Sequence, residues 1–86
     1  MTKRRRERDN PEYLNMLHRL IARAGERVAD ADIEQLTQLM ELRRDLDDAI
    51  LQAVGGLRDN YVTWQDIGSA TGTTRKAAQM RWGPKL

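Results

Sequence analysis

From Ile33 to Val54 the chain runs twenty-two residues without a glycine or a proline. Ile33, Leu36, Leu39, Met40, Leu42, Leu46, Ala49, Ile50, Ala53 and Val54 recur along it at helical spacing, and Leu57 continues the series. At about 100° per residue these positions cover an arc about 200° wide. A surface helix with one neighbour needs a stripe only slightly wider than ~100°. The stretch therefore predicts one long helix from Ile33 to about Arg58, with more apolar surface than a single partner helix can cover. Asp30 or Asp32 is placed to cap it. Gly55-Gly56 costs roughly 1 kcal/mol per glycine if the helix continues. Because Leu57 keeps the period, the expected helix bends at the pair and ends near Arg58; a stop at Gly55 is the alternative. Asp59-Asn60 reads as the turn that follows.

The segment before the long helix carries a narrower stripe. Asn10-Pro11 suits a helix start, asparagine as cap and proline at the first helical position. Leu14, Leu17, Leu20, Ile21, Ala24 and Val28 then share one face, with Arg19, Arg23 and Glu26 opposite. Gly25 is expected to loosen or end this helix. Folded back as an antiparallel hairpin, it covers part of the long helix, and the rest is left for the C-terminal segment and a second copy of the chain. Arg43 and Asp47 fall inside the apolar arc at the (i, i+4) spacing of a helical ion pair. Either they set register at a dimer seam or they lie on the edge of the face. Leu36, Leu39, Arg43, Leu46, Asp47 and Ile50 are the dimer-interface candidates.

With 86 residues and no cysteine, the chain has room for one small domain and no disulfide or thiolate zinc site to brace it. Packed helices and oligomerisation are the remaining sources of stability. No apolar run spans a bilayer, and the N-terminus lacks the apolar core of a signal peptide, so the reading is an intracellular, cytoplasmic protein. The net charge of +2 is divided unevenly. Residues 1–10 are net +3, residues 30–54 net −5 and residues 55–86 net +3. Basic ends around an acidic middle suit a protein that turns its ends toward a polyanion. The first ten residues, with Lys3, Arg4, Arg5 and Arg6, read as a flexible basic arm. Arginine-rich arms enter minor grooves or follow phosphates; a solubilising tail is the plainer reading.

The C-terminal stretch TWQDIGSATGTTRKAAQMRW places a tryptophan near each end, with caps and a glycine between. Thr63 caps a short helix from Trp64, and Asp66 three residues on completes a near capping box. Trp64, Ile67 and Ala70 face one way, and Gly68 admits a close neighbour. Gly72 comes where the helix closes. Thr74 caps the next helix, which puts Arg75 and Lys76 in its first turn. Ala77, Ala78 and Trp82 offer an inner face, and Gly83-Pro84 stops the helix. Two helices this short need a third side, which Ile50, Val54 and Leu57 supply. The result is a three-helix core of helix-turn-helix form, with the two tryptophans at its opposite ends.

The pattern W-x-x-I-G-x-x-x-G-x-T-R-x-A-A-x-x-R-W over residues 64–82 resembles bacterial helix-turn-helix segments that commonly read W-x-x-I-G-x-x-L-G-V-[ST]-R-x-A-A-x-x-R-[WF]. Such segments are frequent in small proteins of actinobacteria and their phages. The resemblance covers about 20 of the 86 residues. It implies a second helix, 75–82, that lies in the major groove of double-stranded DNA, with Thr74, Arg75, Lys76 and Gln79 as the contact positions; Arg81, in the last turn, is counted with them as a DNA-binding candidate. Thr71 stands where leucine is usual and Thr73 where valine is usual, so two hydroxyls need hydrogen-bond partners. The chemistry points the same way. Cations at a helix N-terminus suit phosphate. Arginine grips guanine in a bidentate pair, and glutamine does the same for adenine.

Catalytic chemistry has no such constellation. His18, the single histidine, falls on the polar side of its helix and has no metal-ligand spacing around it. Asp45, Asp47 and Asp48 do not converge on one pocket. Tyr13 and Tyr61 read as packing residues. No P-loop, dinucleotide fingerprint or nucleophile elbow occurs. The expectation is thus an all-α, non-enzymatic chain without cofactor, metal or small-molecule substrate: a basic arm over 1–10, a helical hairpin and dimerisation platform over 11–58, and a helix-turn-helix over 59–86. Its expected partners are double-stranded DNA, as a small transcriptional regulator, and a second copy in a homodimer. The alternative is a helical protein-interaction module, an adaptor or inhibitor of a transcription component, with no DNA site of its own.

Overall fold

A computed structural model describes the backbone of residues 2–86 and the side chains from Asp9 onward. It is all-α. Four α-helices follow in order, α1 Thr2–Ala29, α2 Glu34–Asp59, α3 Trp64–Ala70 and α4 Arg75–Trp82, and a 3-10 turn Gly83–Lys85 closes the described chain. Among the described residues there is no strand, and no helix is long and apolar enough to cross a membrane. The chain divides into two compact units, Met1–Glu41 and Leu42–Leu86.

In Met1–Glu41, α1 begins at Thr2 and runs through Pro11, so Asn10-Pro11 is not the helix start that proline's preference for a first turn suggested. The preceding residues are mostly lysine, arginine and glutamate, good helix formers. They extend the backbone helix upstream, although Pro11 has no N–H to donate to Glu7. Gly25 does not end the helix either; α1 continues to Ala29. Backbone bonds then form the corner: Asp30 N–H donates to Arg27 O at 3.3 Å, Ala31 N–H to Val28 O at 3.0 Å and Gln35 N–H to Asp32 O at 3.0 Å. A pocket at this corner is lined by Gly25, Val28, Ala31, Ile33, Leu36 and Leu39. Beyond the corner the expected hairpin packing does not develop. Leu14, Leu20 and Ile21 on α1, and Leu36 and Met40 on α2, are each about half exposed. No side chain described in this unit is fully buried.

The core lies in Leu42–Leu86. Val54, Ile67, Ala78 and Trp82 are buried together, with Ile50, Leu51, Val62 and Trp64 packed around them. The end of α2 is thus the third side of the core, as its periodicity suggested, but the residues differ in detail. Leu51 joins the core and Leu57 does not; Leu57 stays 45% exposed. On the wheel, Ile50, Leu51 and Val54 fall within about 100° of one another; Leu42, Leu46, Ala49 and Ala53 lie to one side of them, and Leu57, about 20° from Ile50, falls at the border. The wide arc is therefore divided by angle. In the last turns of α2 one side closes the core and the other is exposed; Leu36 and Met40, on the core's side of the wheel, stay exposed in the earlier turns.

Gly55-Gly56 does not interrupt α2, which ends at Asp59. Its closure is a six-residue motif in which Val62 N–H donates to Leu57 O and Tyr61 N–H to Arg58 O, both at 3.0 Å. Asn60 Nδ2 adds a bond to Gly56 O at 3.0 Å. The left-handed position of this motif, glycine in most helices, is occupied by Tyr61 at φ 65°.

Candidate nucleic-acid interface

The chemistry-bearing residues sit on α4, and the way α3 holds α4 begins with two threonine caps. Thr63 Oγ1 accepts from Asp66 N–H at 3.1 Å and Thr74 Oγ1 accepts from Ala77 N–H at 3.0 Å. Each satisfies an amide that its helix leaves without an internal partner. Between them, α3 closes on Gly72 at φ 72°: Thr73 N–H donates to Gly68 O at 2.8 Å and Gly72 N–H to Ser69 O at 3.3 Å. Thr71, in the place where leucine is usual in the resembling segments, donates its hydroxyl to Ile67 O at 2.8 Å. Its hydroxyl therefore has the partner it needs within its own helix.

Gly68 sets how closely α4 approaches. A Cβ on Gly68 would stand 2.7 Å from Thr74 O and 3.0 Å from Arg75 N. No side chain fits there without moving the start of α4. The backbone of Gly68 thus acts as the seat for the first turn of α4, and Ala78, fully buried, fixes its middle.

With Ala78 and Trp82 turned inward, the helical period fixes what faces out. Lys76, Ala77 and Met80 form the centre of the outward face, Met80 being 67% exposed. Ala77 is exposed, not part of the inner face expected for it, and Ala70 on α3 is exposed too. Arg75 and Lys76 are both exposed in the first turn. Thr74 is engaged as the cap, so its hydroxyl serves the helix first. Gln79 and Arg81 fall on opposite flanks. Gln79 borders an open groove of about 730 Å³ whose walls include Arg58, Trp64, Met80, Pro84 and Leu86. Arg81 stacks its guanidinium 5.1 Å from the Trp82 ring centre and lines a small pocket with Asp47 and Asp48. Arg58 makes the matching stack on Trp64, at 5.0 Å, and donates to Val62 O at 3.0 Å.

The expected set of DNA-facing residues is therefore brought together only in part. Arg75 and Lys76 share an exposed turn; Gln79 and Arg81 do not share a face. Met80 and Ala77 are outward-facing residues that the sequence reading did not assign to the interface. The wheel centred on Ala78 and Trp82 carries that signal, since Met80 lies about 180° from their mean direction. The side chains of Lys3, Arg4, Arg5 and Arg6 lie outside the described residues. Of the dimer-seam residues, Leu36 and Leu46 are about half exposed, Arg43 and Asp47 are exposed, Leu39 is half-buried, and Ile50 packs into the chain's own core.

His18 is exposed, and among the described residues no group of three or more histidine, aspartate or glutamate side chains is arranged to hold a metal ion. No family model matches the chain, and no curated protein or solved structure is found to be similar to it.

Proposed function

We propose that this chain binds double-stranded DNA and lays α4 in the major groove, as a small sequence-reading regulator. The observation that carries this reading is the first turn of α4. Arg75 and Lys76 are exposed at a capped helix N-terminus that is seated against the Gly68 backbone. Like charge at the positive end of a helix dipole is unfavourable by itself and becomes favourable when an anion approaches. Next to these cations, Met80 and Ala77 present apolar surface suited to a thymine methyl, and Gln79 at the flank has the donor–acceptor pair that matches adenine. Phosphate contacts by the two cations position the helix; the residues one turn on read bases.

Replacing Arg75 and Lys76 by alanine tests this. Binding to duplex DNA is expected to weaken. The slope of log K against log salt should flatten by about 0.9 for each phosphate that is no longer neutralised. Unchanged affinity and slope in the double variant would remove α4 as the DNA-binding surface. Selection of bound fragments from random duplexes at near-physiological salt then tests sequence reading, with an enriched site as the expected result.

The uncovered apolar face on α1 and α2 favours a second reading, a helical interaction module without its own DNA site. That reading expects no duplex binding by the native chain even at low salt, where non-specific association by a DNA-binding protein is strongest.

A further inference from the structure

Two arginines are stacked on tryptophans, and their neighbours differ. Arg58, in the last turn of α2, sits 5.0 Å from the centre of the Trp64 ring and donates to Val62 O at 3.0 Å. Those are its partners among the described residues; Asp59 lines the same groove but forms no ion pair with it. A guanidinium has further donors beyond the one given to Val62. Arg58 carries them at the wall of the open groove that Gln79 and Met80 of α4 also line. The Trp64 ring stands close to α4 there: a Cβ on Gly83 would lie 3.7 Å from both the Gln79 Cγ and the Trp64 Cζ2 atoms. Arg81 stacks on Trp82 instead and shares its pocket with Asp47, Asp48 and Lys85.

We infer that Arg58 is a further anchor for the DNA backbone, and that the duplex meets α4 on its Gln79 flank; this rests on the reading of α4 as the helix that enters the major groove. On the wheel of α4, Arg75 and Gln79 lie about 40° apart, Lys76 lies between Gln79 and Met80, and Arg81 is about 160° from Gln79. The Gln79 flank thus has Arg58, Arg75 and Lys76 with one acid, Asp59, whereas the Arg81 flank has Arg81 and Lys85 with two, Asp47 and Asp48. A polyanion is drawn to the first. Size agrees as well. A helix with its side chains, about 10–12 Å across, fills a major groove ~12 Å wide. The phosphates that rim the groove are therefore met by cations set beyond the helix flank, and Arg58 stands beyond Gln79 in that way. Its stack and its bond to Val62 O already hold the guanidinium, so less side-chain freedom is lost when a phosphate binds. A phosphate contact carries no base information; it fixes the register in which Gln79 and Met80 meet base edges.

Binding of a labelled random-sequence duplex, followed by fluorescence anisotropy over a range of salt, tests this. Arg58→Gln removes the charge from an exposed position. Its slope of log K against log salt should be flatter than native by about 0.9, which is roughly eightfold weaker binding at ~0.1 M salt for equal affinity at ~1 M. Arg58→Lys keeps the charge and should restore the slope. Arg81→Gln should change the slope less than Arg58→Gln does. If Arg58 only closes α2, Arg58→Gln lowers the urea midpoint and keeps the native slope, and that result would overturn the inference. So would a slope change in Arg81→Gln as large as that in Arg58→Gln, or a loss of slope in Arg58→Lys equal to that in Arg58→Gln. The Arg75→Ala/Lys76→Ala variant separates this inference from the reading beneath it. If that variant flattens the slope and Arg58→Gln does not, Arg58 is no contact and α4 remains the DNA surface. If that variant keeps the native slope, or the native chain binds no duplex at low salt, the α4 reading falls and this inference with it.

Discussion

Gly56 and Gly68 are both helical glycines, and their surroundings give them opposite consequences. A Cβ at Gly56 meets nothing within 4 Å, whereas one at Gly68 stands 2.7 Å from a backbone oxygen of Thr74. Alanine at 56 therefore gains helix propensity without a clash, and Gly56→Ala should stabilise the protein by about 1 kcal/mol. Gly68→Ala forces α4 away from α3 and should lower stability by about 2–3 kcal/mol. Urea unfolding followed by tryptophan emission measures both, and the two midpoints should move in opposite directions. The Gly68 requirement was legible in the sequence, because a glycine four residues before another in a helix–turn–helix spacing has few other uses. The freedom of Gly56 was not: both members of Gly55-Gly56 look alike in one dimension. In three, Gly55 receives the tip of Leu86, with 3.2 Å between the Leu86 Cδ2 atom and a Cβ at that position.

The elements were legible to different depths for identifiable reasons. α3 and α4 begin at Thr63 and Thr74 as the caps predict, since each side chain bonds a specific amide nearby. α4 stops at Trp82, and Gly83-Pro84 turns the chain into a 3-10 turn instead of simply releasing it. Long-range facts were harder to read. The start of α1 depended on whether Pro11 opens a helix or sits inside one, which local preference does not decide. The width of the apolar arc on α2 showed that several partners share it, but not that Leu51 would turn inward and Leu57 outward. The closure of α2 also escaped the sequence reading, because Tyr61 holds a left-handed position that disfavours a side chain by about 1–2 kcal/mol. Tyr61 is 91% exposed and has little packing to offset that. Tyr61→Gly should therefore raise the stability of the C-terminal core by about 1 kcal/mol, part of the relief being offset by the greater freedom of glycine in the unfolded chain. Thermal unfolding by tryptophan emission measures this; an unchanged or lowered midpoint would mean the ring contributes more than its exposure suggests.

At the scale of the molecule, the fully buried residues among those described all lie in Leu42–Leu86, and stability should be distributed the same way. In dilute solution the amides of α1 are expected to exchange with solvent at least about tenfold faster than those around Val54, Ile67 and Ala78, because local opening of α1 exposes little that was buried. Hydrogen exchange at single-residue resolution checks it. The partition of α2 has a further result for how such a chain can be rearranged. Ile50, Leu51 and Val54 serve the core from the same helical turns on which Ala49, Ala53 and Leu57 face outward. The border between the two roles runs lengthwise, parallel to the helix axis, so no cut in the gene separates them. Recombination that transplanted the C-terminal core into another protein would have to carry residues 42–59 intact, and with them an exposed apolar flank that the new host must then cover.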